Sequence, residues 1–326
     1  MNSMSKPRIY MSRRWPVLSE QALFDAFDVT YDESDAQKTS AELAEAMRHH
    51  DAIAPTVTDP MGRETIEAAA GGPCKVIANF GVGVNHIDIA AAHENGMQVS
   101  NTPGVLTDAT ADIALTLMLM TMRRAGEGER EVRADGWTGW RPTHLLGQQM
   151  TGKTLGIIGM GRIGKATAAR AALGFGMKVV FYNRSQVADC GPFDAEQLET
   201  VADVCAAADI VSLHCPGGAE TMHILGAEAL AAMKPTGVVI NTARGDVVDE
   251  EALADALEEG RIGGAGLDVF QGEPVINPRL RGAPNTVLLP HLGSATVETR
   301  NAMGMTVVDN LKAFFAGKDL PNPVTL

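Results

Sequence analysis

Residues 153–183 constrain the chain more than any other stretch. They open on Lys153-Thr154-Leu155-Gly156-Ile157-Ile158, an apolar run short enough for a buried parallel strand. Gly159-Met160-Gly161-Arg162-Ile163-Gly164 follows at once, then an alanine-rich helical segment over 165–174 and a second apolar run over 177–182. A strand, G-x-G-x-x-G, a helix and a strand in one short unit is the context that gives this otherwise weak motif its meaning. Gly159 permits the tight turn, Gly161 lets backbone approach a pyrophosphate, and Gly164 lets helix and strand pack closely. The free N–H groups at the helix start, from Met160 through Arg162 and Ile163, would hold phosphates with the help of the helix dipole. The alternative is a glycine-rich turn that binds nothing, and the two flanking strands argue against it.

The end of the second strand selects the dinucleotide. An NAD site usually carries Asp or Glu about 20 residues beyond the fingerprint, accepting from the ribose 2′-OH. Here Asn183-Arg184-Ser185 fills that place, and no acid appears until Asp189. A 2′-phosphate needs positive charge and donors, which Arg184 and its polar neighbours supply. NADP(H) is therefore the preferred cofactor and NAD(H) the second choice. The plain alternative is a solvated arginine after a strand.

A chain of 326 residues is long enough for two domains. Its net charge of −13 argues against nucleic acid or an anionic membrane as partner, so an anionic substrate needs a local positive site. Cys74, Cys190, Cys205 and Cys215 show no C-x-x-C and no metal-ligand spacing, which points to no metal and to reduced thiols of a cytoplasmic protein. The apolar run 113–122 is too short to span a membrane. Arg13-Arg14 near the start has no apolar segment behind it, against an export signal.

Residues 1–104 repeat a strand-then-helix rhythm, with strands expected at 8–12, 52–55, 75–80 and 98–100 and helices at 19–27, 40–49, 62–70 and 88–95. Asn101-Thr102-Pro103-Gly104 is turn chemistry and marks the first boundary. One long helix is expected over 107–122, continuing more polar through 127–133. The arm Gly136-Trp137-Thr138-Gly139-Trp140-Arg141-Pro142 breaks it. After the central unit, strands are expected at 210–215, 238–242, 264–269 and 286–289, helices at 227–233 and 250–259, and a last helix over 294–315. The fold class is α/β, with two doubly wound parallel sheets and six strands after Lys153 in the second.

Ligands of such sheets bind beyond the carboxyl ends of the strands. Arg244, Glu273 and His291 each fall just past one. Singly, each has an equally good structural reading, as a helix-end partner, a loop carboxylate and a helix cap. Together they suit reduction of a 2-oxo acid by hydride from a nicotinamide. His291 can protonate the carbonyl oxygen. Glu273 can hold the imidazole tautomer and favour its charged form. Arg244 can grip the carboxylate with its planar fork, the local positive site that the acidic chain requires.

Three stretches resemble the signatures of the D-isomer-specific 2-hydroxyacid dehydrogenases. They are Asn241-Thr242-Ala243-Arg244-Gly245-Asp246, Gly266-Leu267-Asp268-Val269-Phe270-Gln271-Gly272-Glu273-Pro274 and Leu289-Pro290-His291-Leu292-Gly293-Ser294-Ala295-Thr296. The resemblance covers nearly the whole chain. Within the family the sequence is most similar to glyoxylate/hydroxypyruvate reductases, through Asn101-Thr102-Pro103, Val105-Leu106-Thr107-Asp108-Ala109-Thr110-Ala111-Asp112, the Trp137–Trp140 arm and Asn183-Arg184-Ser185.

The resemblance implies a flavodoxin-like substrate domain over 1–104, a Rossmann NADP-binding domain over 105–293, and a C-terminal helix and tail over 294–326 that return to the first, with the active site in the interdomain cleft. It implies that the backbone N–H groups of Val82 and Gly83 hold the substrate carboxylate. It places Asp268 near the nicotinamide carboxamide, and Cys215, Pro216, Thr242, Ala243 and Gly293 along the cofactor. It also implies a homodimer joined through the cofactor domains, with the arm reaching the partner's active site. Trp140 then either walls the substrate pocket or, with Trp137, only buries area between subunits. Glycine-rich Cys215-Pro216-Gly217-Gly218-Ala219-Glu220 departs from the bulkier family pattern and loosens the cofactor lid; Gly104 departs where acidic or larger residues are common.

The expected activity is NADPH-dependent reduction of glyoxylate and/or hydroxypyruvate. The alternatives are another D-2-hydroxyacid substrate, such as 3-phosphoglycerate or D-lactate, or a non-catalytic dinucleotide-sensing scaffold. Formate oxidation needs no proton transfer, and Glu273 argues against it.

Overall fold

The computed structural model describes residues 5–325, so the expected domain limits at Met1 and Leu326 and the start of the segment read for an export signal lie outside the described residues. Short apolar runs alternating with helices leave the strands no hairpin to close. Adjacent strands are therefore joined by crossovers and run parallel. The chain forms two compact units, one of residues up to Leu106 together with those from Ala295 onward, the other of Thr107–Ser294.

In the first unit, β1 (Arg8–Met11), β2 (Asp28–Tyr31), β3 (Ala52–Ala54), β4 (Val76–Ala78) and β5 (Gln98–Ser100) stand in the order β2-β1-β3-β4-β5. The two-residue period of a strand decides which face each side chain covers. Ile9, Met11, Ala52, Ala54 and Val76 pack with Val307, Val308 and Leu311 of the helix Val297–Phe315. Ile53, Ile77 and Val99 pack on the other face with Leu43 and Met47 of the helix Ser40–His49. The C-terminal helix thus completes the core of this unit. At its crossing with the helix Val17–Ala26, a Cβ on Gly304 would stand 2.4 Å from the Ser19 side chain, so only glycine allows that approach.

The second unit holds β6 (Thr154–Ile158), β7 (Lys178–Tyr182), β8 (Ala195–Gln197), β9 (Ile210–Leu213), β10 (Val238–Asn241), β11 (Gly264–Leu267) and β12 (Thr286–Leu288), in the order β12-β11-β10-β9-β6-β7-β8. The order reverses between β6 and β9, the switch point at which ligands of open parallel sheets bind. β6, β9, β10 and β11 are buried almost throughout, as strands covered on both faces must be.

The structure differs from the sequence-based expectation in several features, among them the helices Val201–Ala207 and Pro278–Gly282, which were not expected. β2 and β8 are additional strands, so the second sheet has seven strands and not six. Both lie at a sheet edge and neither holds a buried residue, so neither needs an apolar run. The expected long helix is two, Thr107–Met122 and Ala125–Arg133, with Arg124 between them at φ 52°. The carbonyl of Met122, which a continuous helix would use internally, accepts from the Gln148 amide at 2.7 Å instead. The returning chain passes so close at Gly147 that a Cβ there would lie 2.3 Å from the same carbonyl oxygen. No described helix is long and apolar enough to cross a membrane.

Candidate active site

The fingerprint turn sits at the carboxyl end of β6. Gly159 has φ +98°, and a Cβ on it would meet the Cys215 amide nitrogen at 2.6 Å, so the turn after β9 closes against it only because it is glycine. A Cβ on Gly164 would lie 2.3 Å from the carbonyl oxygen of Gly159. Gly161 differs from both, since nothing lies within 4 Å of where its Cβ would be. It is the N-cap of the helix Arg162–Phe175 and offers no side-chain cap, so the first helical amides are left for a ligand. Thr242, at the end of β10, keeps a buried Oγ1 with no hydrogen-bond partner among the described residues. An open glycine, uncapped amides and an unspent hydroxyl fit a dinucleotide phosphate and its attached groups.

The turn after β7 is tied to this fingerprint. Asn183 Oδ1 accepts from the Met160 amide at 3.2 Å, and its Nδ2 donates to the Ser185 carbonyl at 3.0 Å. Gln197 Nε2 donates to the carbonyls of both Asn183 and Ser185. Arg184 projects from this fixed turn into solvent and pairs there with Glu220, from the turn after β9. Cys215, in that same turn, is buried, and burial pushes its thiol up to about 11, which leaves it an unreactive wall.

Arg244, Glu273 and His291 all lie in the second unit. Asn241, fully buried at the end of β10, shapes the first turn: its Oδ1 accepts from the Ala243 amide at 3.0 Å and its Nδ2 donates to the Arg244 carbonyl at 2.8 Å. The next residue must be small, because a Cβ on Gly245 would stand 2.0 Å from the Phe270 backbone. That contact brings the turn after β10 against the turn after β11, which carries Glu273. Arg244 donates from Nη1 to the Ala243 carbonyl at 2.6 Å. Burial lowers its pKa and the charges of Glu273 and Asp246 oppose this; an arginine stays a cation, and no other hydrogen bond of its guanidinium is made among the described residues.

His291 is held by Asp268. The Asp268 carbonyl accepts from the His291 amide at 2.9 Å, and its two carboxylate oxygens accept from the amides of Leu292 at 2.6 Å and Gly293 at 2.7 Å. Thr110 Oγ1 donates to the Gly293 carbonyl at 3.1 Å. This clasp keeps His291 in the left-handed region at φ 55°, a conformation worth about 1 kcal/mol of strain for a residue with a Cβ. The ring meets Glu273, with Nδ1 2.8 Å from Oε2. Glu273 Oε1 accepts from the Phe270 amide at 2.9 Å. Burial raises the Glu273 carboxyl, but the hydrogen bond and charge of His291, the Phe270 amide and Arg244 outweigh it and hold it below the ordinary carboxylate range. Asp268 goes the other way, raised chiefly by burial.

The first unit offers a different kind of group. Around Asn79 the carbonyls point inward: those of Gly81 and Gly83 accept from Asn79 Nδ2 at 3.0 Å, and that of Val82 accepts from Asn101 Nδ2 at 2.8 Å. The amides of Val82 and Gly83 have no acceptor among the described residues. With its carbonyls tied back to side-chain amides, this loop leaves two backbone donors unspent, the kind of group an anion can engage. Trp137 and Trp140, 56% and 81% exposed, stand on an arm without regular structure in the second unit.

Two contributors were absent from the sequence-based set. Glu220 reaches Arg184 from 36 positions away, and no local pattern signals such a pairing. Asp246 fixes the turn after β9 by accepting from the Gly218 amide at 2.8 Å, and Gly217 leaves it room, since a Cβ there would meet its carboxylate at 2.5 Å. The glycines of 215–220 were legible; their reason was not.

A doubly wound sheet with this fingerprint at its switch point, and an imidazole–carboxylate pair at the carboxyl ends of its strands, defines a nicotinamide-dinucleotide-dependent oxidoreductase. Residues 115–293 match the family described as D-isomer specific 2-hydroxyacid dehydrogenase, NAD binding domain. Glyoxylate reductase of Thermococcus litoralis is 42% identical over 323 residues, 98% of this chain and 97% of its own. That of Korarchaeum cryptofilum is 40% identical over 98% of this chain and 96% of its own. Among solved structures, the NADPH-dependent glyoxylate/hydroxypyruvate reductase of Sinorhizobium meliloti, in complex with NADP and malonate, superposes with a TM-score of 0.87 at 36% identity, over 98% of this chain and 97% of that one. The chain belongs to the D-isomer specific 2-hydroxyacid dehydrogenase family.

Proposed function

We propose that this protein reduces glyoxylate, hydroxypyruvate or both, with NADPH preferred over NADH, and that His291 donates the proton. The observation that carries the reading is the His291–Glu273 pair at 2.8 Å, set on the clasped turn that ends at Gly293. When bound, the nicotinamide supplies the hydride for the carbonyl carbon. His291 gives its proton from Nε2, because Nδ1 is committed to Glu273, and Glu273 then balances the charge of the ring whenever it is protonated. Arg244 neutralises the substrate carboxylate and polarises the carbonyl beside it. The first unit contributes the amides of Val82 and Gly83 to carboxylate binding, and the second unit binds the cofactor.

Cofactor contacts are assigned to Gly159, Met160, Gly161, Arg162, Ile163 and Gly164 for the pyrophosphate, and to Asn183, Arg184 and Ser185 for the 2′-phosphate. Cys215, Pro216, Thr242, Ala243, Asp268, His291 and Gly293 line the remainder. The names of the Thermococcus and Sinorhizobium relatives support glyoxylate and NADPH as first choices. The working form is a cytoplasmic homodimer joined through the second units. The test is steady-state kinetics with both cofactors. NADPH should give the higher kcat/KM, and Arg184→Ala should narrow the gap mainly through the KM for NADPH. Better turnover with NADH in the native protein overturns the cofactor choice.

A further inference from the structure

We propose that Glu220 sets the balance between NADPH and NADH, by competing with the 2′-phosphate for Arg184 and by supplying an acceptor when that phosphate is missing. The idea rests on the reading of Arg184 as the phosphate ligand given above. Its basis is where the two side chains come from. β7 and β9 flank β6 on either side, so the turns that follow them stand on opposite sides of the fingerprint. Arg184 leaves the first turn and Glu220 the second, and their side chains meet in an ion pair. Both turns are fixed at the base, the first by Asn183 and Gln197, the second by the Gly218 amide on Asp246 and by Thr221 Oγ1 donating to the Pro216 carbonyl at 2.6 Å. The two tips are free, with side chains 82% and 76% exposed. The acid that the sequence lacks at the end of β7 is thus delivered from the other side of the switch point.

Two consequences follow from charge alone. An exposed single pair is weak and yields to a stronger anion, so a phosphate can take Arg184 from Glu220. Glu220 is then a negative neighbour of the phosphate and weakens its hold. With an unphosphorylated ribose the same carboxylate can accept from the 2′-OH, the task that an acid at the strand end performs in NAD sites. Glu220 therefore restrains a preference that Arg184 alone would make stronger.

The experiment is calorimetric titration of the full chain with NADPH and with NADH, for the native protein, Glu220→Gln and Arg184→Ala. Glu220→Gln should bind NADPH about three- to tenfold more tightly. Its affinity for NADH should be unchanged or lower, and the gain for NADPH should shrink as salt is raised. The melting temperature should stay put, since both side chains are exposed. If Glu220→Gln leaves the ratio of the two affinities as it was while Arg184→Ala still weakens NADPH, the role of Glu220 is wrong and that of Arg184 stands. If Arg184→Ala leaves NADPH binding untouched, both assignments fall.

Discussion

At the scale of single residues, the chemistry turns on how much of each side chain is already spoken for. Nδ1 of His291 is taken by Glu273, and both carboxylate oxygens of Glu273 have partners. Glu273→Gln keeps the shape and removes the carboxylate that Nδ1 is committed to, so kcat with glyoxylate should fall more than the KM changes. A variant that keeps the native kcat contradicts the role given to Glu273. The same residue makes a stability prediction whose sign follows from its depressed pKa. Its contribution is fully present above the ordinary glutamate value of about 4.3 and is lost as pH falls through the lower folded value. The difference in melting temperature between native and Glu273→Gln protein should therefore shrink in that acid window and stay constant above it. The residue types at these positions were legible in the sequence because carboxylate, imidazole and guanidinium each fall one or a few residues past an apolar run. The ion pair between Arg184 and Glu220 was not, because it joins the ends of two strands separated by a third.

At the scale of elements, strands buried on both faces announce themselves as continuous apolar runs, and β6, β9 and β10 were readable for that reason. β2 and β8 escaped because neither holds a buried residue, whereas β5 and β12, at the opposite sheet edges, are mostly buried and were readable. The break after Met122 was illegible for another reason: the competing donor, Gln148, comes from a later part of the chain. The turn that carries His291 shows how an element positions chemistry. Two amides converge on one buried carboxylate, and Asp268→Asn presents an N–H where one of them needs an acceptor. That should cost about 1–3 kcal/mol, a fall of several degrees in melting temperature, and should lower kcat because His291 rides on the same turn. A variant that melts with the native protein contradicts the clasp.

At the scale of the whole molecule, a chain of net charge −13 needs local positive devices to bind the anionic acid and anionic cofactor proposed for it. In the proposed function Arg244, the amides of Val82 and Gly83 and the uncapped helix start at Gly161 are the candidates for that role. In the proposed homodimer the exposed Trp137 and Trp140 either bury area between subunits or, for Trp140, wall the substrate pocket. Trp140→Ala should leave a dimer in sedimentation and move preference from glyoxylate towards bulkier 2-oxo acids such as phenylpyruvate. Monomers, or a dimer with its preference unchanged, exclude the pocket-wall role for Trp140.

As proposed, this molecule reduces small 2-oxo acids with His291 as the proton donor. The most direct measurement is glyoxylate-dependent oxidation of NADPH by native protein and by His291→Ala, with NADPH affinity measured on both by titration. Turnover is expected in the native protein, with a loss of roughly 10²–10⁴-fold in kcat in the variant and NADPH still bound. Absence of turnover with both glyoxylate and hydroxypyruvate, or a variant that keeps its rate, would contradict it.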